Sequence, residues 1–193
     1  MIGSVNWTAM NPPASAAARP HDHHPAPAGV HIRQARPQEY EAVGDVTVAG
    51  YAGLVAADQD YVNDLRKAAH RAENSELLVA VDEGSGEILG TVAFVLPGSA
   101  YAEVSREGEG EFRMLAVGPA ARGRGIGEAL VEACLERARK HHFTAVAIST
   151  VWDMRAAHRL YARMGFHRAP ERDWWPVPEV ELICYLKDLR AAP

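Results

Sequence analysis

The sequence predicts a mixed α/β fold: a central sheet with parallel and antiparallel neighbours, flanked by helices. Three observations predict it. Apolar segments of strand length exchange along the chain with segments whose apolar residues recur at helical spacing. From residue 30 their order is strand, two helices, a three-strand run, helix, strand, helix, two strands. The last strand of the run leads through a glycine-rich loop into a helix and on to another strand, the connection that sets two strands parallel.

The 193 residues suit one domain, long enough to bury a core without staples. A net charge of −5 gives a nucleic-acid partner no electrostatic support. No stretch approaches about 20 apolar residues, so no membrane-spanning helix is expected. The N-terminus shows neither a basic n-region nor an apolar h-region, which argues against a secretory signal and for a cytoplasmic protein. Cys134 and Cys184 both lie in apolar-patterned segments, which favours core packing over a disulfide or a metal site.

Residues 1–28 read as a disordered tail, because Pro12-Pro13, Pro20, Pro25 and Pro27 break regular structure and few large apolar residues are present. The run His21-Asp-His-His24 reads as solvated histidines rather than as a metal site. Residues 29–190 form the folded domain. Val30 to Ala35 alternates as a strand, and Pro37 and Glu39 open a helix that runs to about Gly50. Tyr61, Leu65 and Ala68 mark a second helix from Asp58 to about Arg71. Glu76–Asp82 and Glu87–Leu96 form a hairpin about Glu83-Gly-Ser-Gly86. Residues 99–110 read as an acidic loop, and Phe112–Val117 as the central strand. Ile126, Leu130, Cys134 and Ala138 repeat every fourth residue on the helix that follows, which ends near Lys140. His142–Ser149 is a strand, and Asp153–Met164 a helix with Asp153 as a candidate cap and Gly165 as its left-handed end. A short extended piece from Phe166, a loop over 171–178 and a final strand over 179–187 complete the chain. No internal repeat is present.

The stretch Arg122-Gly-Arg-Gly-Ile-Gly127 carries the chemistry. Its glycines let backbone approach a ligand, and the helix start behind it offers unpaired amides and the positive end of a dipole. Such an end seats phosphate. A Walker loop is excluded, because no Gly-Lys precedes Ser or Thr there. A dinucleotide turn fits Gly123 and Gly125 but puts Glu128 where a glycine belongs. The remaining pattern, Arg-x-x-Gly-x-Gly at Arg122, Gly125 and Gly127, resembles the acyl-CoA pyrophosphate loop of the GNAT family of N-acetyltransferases. Ala157-His-Arg-Leu-Tyr-Ala-Arg-Met-Gly-Phe166 resembles the same family's A-x-x-L-Y-x-x-x-G-F signature. One position departs: the family often has Asn three residues before that Ala, where this chain has Met154.

The resemblance implies the GNAT fold from about Val30 to Leu189 and acetyl-CoA as co-substrate. The main chain at Leu115, Ala116 and Val117 would hold the pantetheine arm, beside two parallel strands that splay apart. The loop Arg122, Gly123, Arg124, Gly125, Ile126 and Gly127 would hold the pyrophosphate. The acceptor, a primary amine on a small molecule, a peptide or a protein, would enter from the opposite side; nucleic acid, membrane and metal play no part, and a homodimer is allowed. Tyr161, at the family's tyrosine position, is the candidate acid for the leaving thiolate. Glu111, at the head of the central strand, is the candidate base; an ordinary solvated carboxylate is the plainer reading. Deprotonating a lysine-like amine at pH 7 costs roughly 4–5 kcal/mol, which is why a base helps. Trp174 and Trp175 either wall the acceptor pocket or plug a loop. Glu103, Glu107, Glu109 and Glu111 either steer a cationic amine or form a solvated loop. The leading function is acetyl-CoA-dependent N-acetyl transfer by direct attack; the alternatives are an inactive acyl-CoA-binding sensor and a nucleotide-binding protein.

Overall fold

The computed structural model describes residues 26–53 and 59–190. Most of the expected tail, and its histidine run, lie outside the described residues. Residues 26–29 form the turn into the first strand, where the Val30 amide donates to the Pro27 carbonyl at 3.0 Å.

The elements are β1 (Val30–Gln34), α1 (Tyr40–Tyr51), α2 (Gln59–Arg66), α3 (Ala68–Asn74), β2 (Glu76–Asp82), β3 (Ile88–Val95), β4 (Glu109–Val117), α4 (Ile126–Lys140), β5 (Ala145–Thr150), α5 (Arg155–Arg163), β6 (His167–Arg168), β7 (Trp174–Val177) and β8 (Val180–Asp188). They build one mixed sheet in the order β1-β2-β3-β4-β5-β8-β6, with β7 paired to β8. The β1/β2, β2/β3 and β3/β4 pairs are antiparallel, β4 and β5 are parallel, and β5 and β8 are antiparallel. The expected fold class is therefore observed.

Each face of the sheet has its own core. On one face α4 inserts Ile126, Leu130, Cys134 and Ala138 against Phe94, Phe112, Val146 and Ile148, joined by Tyr161 and Phe166 from the α5 region. The four-residue spacing on α4 thus marks its buried stripe. On the other face α1 and α3 contribute Val43 and Ala68 against Leu77, Val79 and Ala93.

Four local differences from the sequence expectation have physical causes. The single helix over 58–71 is two helices, broken at Lys67. There the buried Arg71 guanidinium turns back onto the end of α2, donating to the Leu65 carbonyl at 2.7 Å and to the Thr47 hydroxyl at 3.0 Å. It satisfies a helix end that would otherwise be orphaned, and this cap comes from three-dimensional packing, with no Gly or Pro to announce it. Glu109 and Gly110 belong to β4 rather than to the preceding loop, because they pair with Ala145 and Val146. The segment after β6 contains a 3-10 turn and β7 in place of a plain loop. Asp153 does not cap α5: Met154 stands at the N-cap, and no side chain caps that end. Gly165 has φ 79°, the left-handed end expected of it.

Two carboxylates make the fold acid-sensitive. Arg33 donates to both oxygens of Glu39 at 2.8 and 2.6 Å and holds that carboxyl down at about 2. Arg172 grips Glu109 in the same two-pronged way, at 2.6 and 2.8 Å, and lowers its carboxyl too. A carboxyl lowered in the folded state stabilises it above the unfolded value, about 4.3, and that contribution disappears as pH falls through the folded value. The melting temperature is expected to hold from pH 7 to about 5 and to fall by several degrees or more towards pH 2. Glu39→Gln should remove part of that slope in a pH series of thermal melts; an unchanged slope would deny the Arg33 pair its role.

Candidate active site

β4 carries an irregularity that shapes the site. Its register against β3 passes from Arg113↔Ala93 to Ala116↔Thr91, so two residues, Met114 and Leu115, bulge opposite one. Met114 takes φ 51°, which a non-glycine residue adopts at a cost. On its other edge β4 pairs with β5 only at Glu109, Gly110 and Glu111. Beyond Glu111 both strands continue without pairing, β4 to Val117 and β5 to Thr150. The parallel pair splays, and the β4 edge over Leu115, Ala116 and Val117 has no partner strand on that side.

That open edge leads to the glycine loop. Gly123 and Gly125 have φ 76° and 80°, the left-handed region that favours glycine. Among the described residues nothing lies within 4 Å of where a Gly123 Cβ would stand, and Pro27 approaches that of Gly125 at 3.4 Å. Gly125 is the N-cap of α4, and among the described residues no side chain caps that end. Arg122 donates to the Gly50 carbonyl at 3.1 Å, which ties the loop to the end of α1. Arg124 lies 3.6 Å from Asp82 and remains half exposed. Gly50 in turn lies so close to β4 that a Cβ there would stand 2.9 Å from the Ala116 Cβ. Open glycines, an uncapped helix start and an unpaired strand edge together fit a long ligand with a phosphate end.

Tyr161 sits on α5 with 2% of its surface exposed. Its ring packs edge-on against Phe112 at 5.8 Å and against Phe166 and Tyr185, each also at 5.8 Å. Burial pushes its phenol well above the ordinary value. Tyr51, from α1 on the other face, packs with Leu65, Ala116 and Tyr61, and burial pushes its phenol up. Sequence reasoning names Arg113 only as a partial counter-charge to the acidic cluster and does not place it in the site; its i,i+2 spacing from Glu111 on a strand is the signal that puts the two on one face.

Glu111 is fully buried. It accepts the amides of Glu103 and Val104 at 3.0 Å and of Ser105 at 2.9 Å, all on Oε2. Glu103 pairs with Arg113, and Glu109 with Arg172. Three of the four loop carboxylates, Glu103, Glu109 and Glu111, are thus engaged by Arg113, Arg172 and backbone amides. The tryptophan pair divides as a strand requires: Trp174 is half-buried, while Trp175 is 56% exposed. Trp152 is also exposed, and its indole donates to Glu181 at 2.9 Å. Met154, in the place of the asparagine, accepts from the Thr150 hydroxyl at 3.3 Å. Among the described residues no group of His, Cys, Asp and Glu is placed to hold a metal, and no helix is long and apolar enough to cross a membrane.

The site is a split sheet edge that runs into a glycine-rich helix start. Residues 40–166 match the Acetyltransferase (GNAT) family, and the chain belongs to that family. Over 95 residues it is 33% identical to N-acetylaspartate synthetase of Danio rerio, covering 48% of this chain and 30% of that protein. The chain therefore spans less than a third of that relative's length. In fold it resembles an acetyltransferase of the GNAT family from Staphylococcus aureus Mu50, with a TM-score of 0.65, 15% identity, and 83% of this chain and 99% of that one covered. It also resembles yncA from Salmonella typhimurium with its cofactor acetyl-CoA, with a TM-score of 0.58, 22% identity and coverage of 86% and 98%.

Proposed function

We propose that this protein is an acetyl-CoA-dependent N-acetyltransferase that acylates a primary amine by direct attack. One observation carries the reading: the β4 edge left open beyond Glu111 runs straight to the uncapped glycine turn at the head of α4. The main chain of Leu115, Ala116 and Val117 would hold the pantetheine arm. The amides of Gly123 to Gly127, with Arg122 and Arg124, would hold the pyrophosphate. Acetyl-CoA supplies an activated acyl group whose leaving group is a thiol.

Direct attack is favoured over an acyl-cysteine. Cys134 and Cys184 are both buried. Burial pushes the Cys184 thiol up to about 11 and that of Cys134 higher still, so neither is a ready thiolate at neutral pH. Two free thiols also suit a reducing compartment, hence a cytoplasmic setting. Tyr161 keeps its proton throughout the neutral range and serves as the donor to the leaving sulfur. Glu111, with its carboxylate taken up by three amides, serves by holding residues 103–105 in place.

The test is an acceptor panel with purified protein and acetyl-CoA: L-aspartate, spermidine, an aminoglycoside, a peptide with a free α-amine and a lysine peptide. L-aspartate is included because of the relative's name. Thiol release with an acetylated product of the right mass supports the reading. A thermal shift by acetyl-CoA with no release from any amine would point instead to a sensor, and neither shift nor release would defeat both.

A further inference from the structure

The loop over residues 99–108 is fastened to β4 by charge. Glu111 and Arg113 stand two apart on the strand and share a face, opposite Phe112 with its Tyr161 contact. Glu111 gathers the amides of residues 103–105 and so fixes the Glu103 backbone above the strand. The Glu103 side chain then pairs with Arg113. Arg113 is braced in turn, donating to the Tyr101 carbonyl at 2.8 Å and lying 4.6 Å over the Tyr101 ring. Its place on β4 is two residues past the last pair with β5 and next to the Met114 bulge. The Glu103 carboxylate thereby stands beside Arg113, whose own place on β4 lies just past the last pair with β5, and its side chain is 25% exposed.

We propose that Glu103 is the base that takes the proton of the acceptor amine, and that Glu111 is the positioning residue that sets it there. This rests on the N-acetyltransferase reading above. The charged and titratable groups facing Glu103 are Arg113 and Glu111 from β4, Tyr61 from α2 and Tyr101 from its own loop. Burial, aided by Glu111, raises the Glu103 carboxyl above the ordinary carboxylate value against the pull of Arg113. A raised carboxyl is the stronger base near neutral pH.

The proton balance closes. The amine arrives as an ammonium ion and gives one proton to Glu103, directly or through one water. Its freed lone pair forms the N–C bond to the thioester carbonyl. The C–S bond breaks, and its electron pair leaves on sulfur. The second nitrogen proton reaches that sulfur through the Tyr161 hydroxyl, and Glu103 returns its own proton to solvent. The products are an amide, a CoA thiol and one released proton.

The test measures kcat against pH for the parent, Glu103→Gln and Glu103→Asp, using acetyl-CoA and the panel amine that turns over fastest. Glu103→Gln should lower kcat about 100-fold at pH 7, the low end of the usual range for a general base. The loss should shrink as pH rises towards the amine's own pKa, about 10. The thermal shift by acetyl-CoA should persist, which shows that the variant folds. Glu103→Asp should recover part of the rate. Glu111→Gln should lower kcat and move the acidic limb of the profile, which a merely structural role would not do. A folded Glu103→Gln with parental kcat and a parental pH profile overturns the proposal while leaving the acetyltransferase reading intact. A parent that releases no thiol with any amine defeats that reading, and this proposal with it.

Discussion

Gly125→Glu is expected to erase the thermal stabilisation that acetyl-CoA gives the parent protein. A ligand at 100 times its Kd stabilises the folded state by about 2.7 kcal/mol, so the parental shift should be several degrees. Gly125 is the N-cap of α4, at φ 80°, at a helix end that no side chain caps. A carboxylate introduced there would be drawn to the helix amides by their dipole and would occupy the position assigned to the pyrophosphate. Bulk and like charge then act against the ligand together. The variant also carries the strain of a side chain in the left-handed region, about 1–2 kcal/mol. Gly125→Ala separates the two effects, because it has the strain without the charge. The alanine variant should melt lower and still respond to acetyl-CoA, whereas the glutamate variant should not respond at all. A full shift in Gly125→Glu would remove the pyrophosphate from this loop.

Tyr161→Phe is expected to lower kcat about 100-fold while leaving acetyl-CoA affinity within a few-fold. The ring contacts to Phe112, Phe166 and Tyr185 are all made by carbon, so phenylalanine keeps the packing. Only the hydroxyl is lost. A positioned acid contributes about 10²–10⁴ in rate, and a loss confined to kcat marks a group acting in the transition state. Since burial raises the phenol, its titration should leave no limb in the pH profile below about pH 10. Steady-state kinetics of the parent and variant from pH 6 to 10 would check both points. Equal kcat at every pH would take Tyr161 out of the reaction.

Local pattern in the sequence revealed most of the fold, and the reasons are physical. Ile126, Leu130, Cys134 and Ala138 recur at helical spacing because one stripe of α4 is buried, and the structure buries all four. The run from β4 through the glycine loop into α4 was legible because its turn needs left-handed glycines, and Gly123 and Gly125 take that conformation. The break at Lys67 was not legible, because it depends on Arg71 reaching across to α2 and α1. The partners of the acidic loop were not legible for a similar reason. Sequence shows Arg106 and Arg113 only as partial balance for Glu103, Glu107, Glu109 and Glu111, whereas the pairing of Glu103 with Arg113, of Glu109 with Arg172 and of Glu111 with three amides depends on the fold. Met114 gives no hint in sequence of its positive φ, since the bulge exists only in the register between β3 and β4.

The most direct test of the account is amide hydrogen exchange of the full chain with and without acetyl-CoA, read by mass spectrometry at peptide resolution. The open β4 edge and the uncapped turn of α4 are the proposed seats of the two ends of the ligand. Exchange should therefore slow in peptides covering Leu115 to Val117 and Gly123 to Gly127, and should change little in β1 and β2. Slowing confined to other elements, with both of these segments exchanging as fast as in the free protein, would contradict the account.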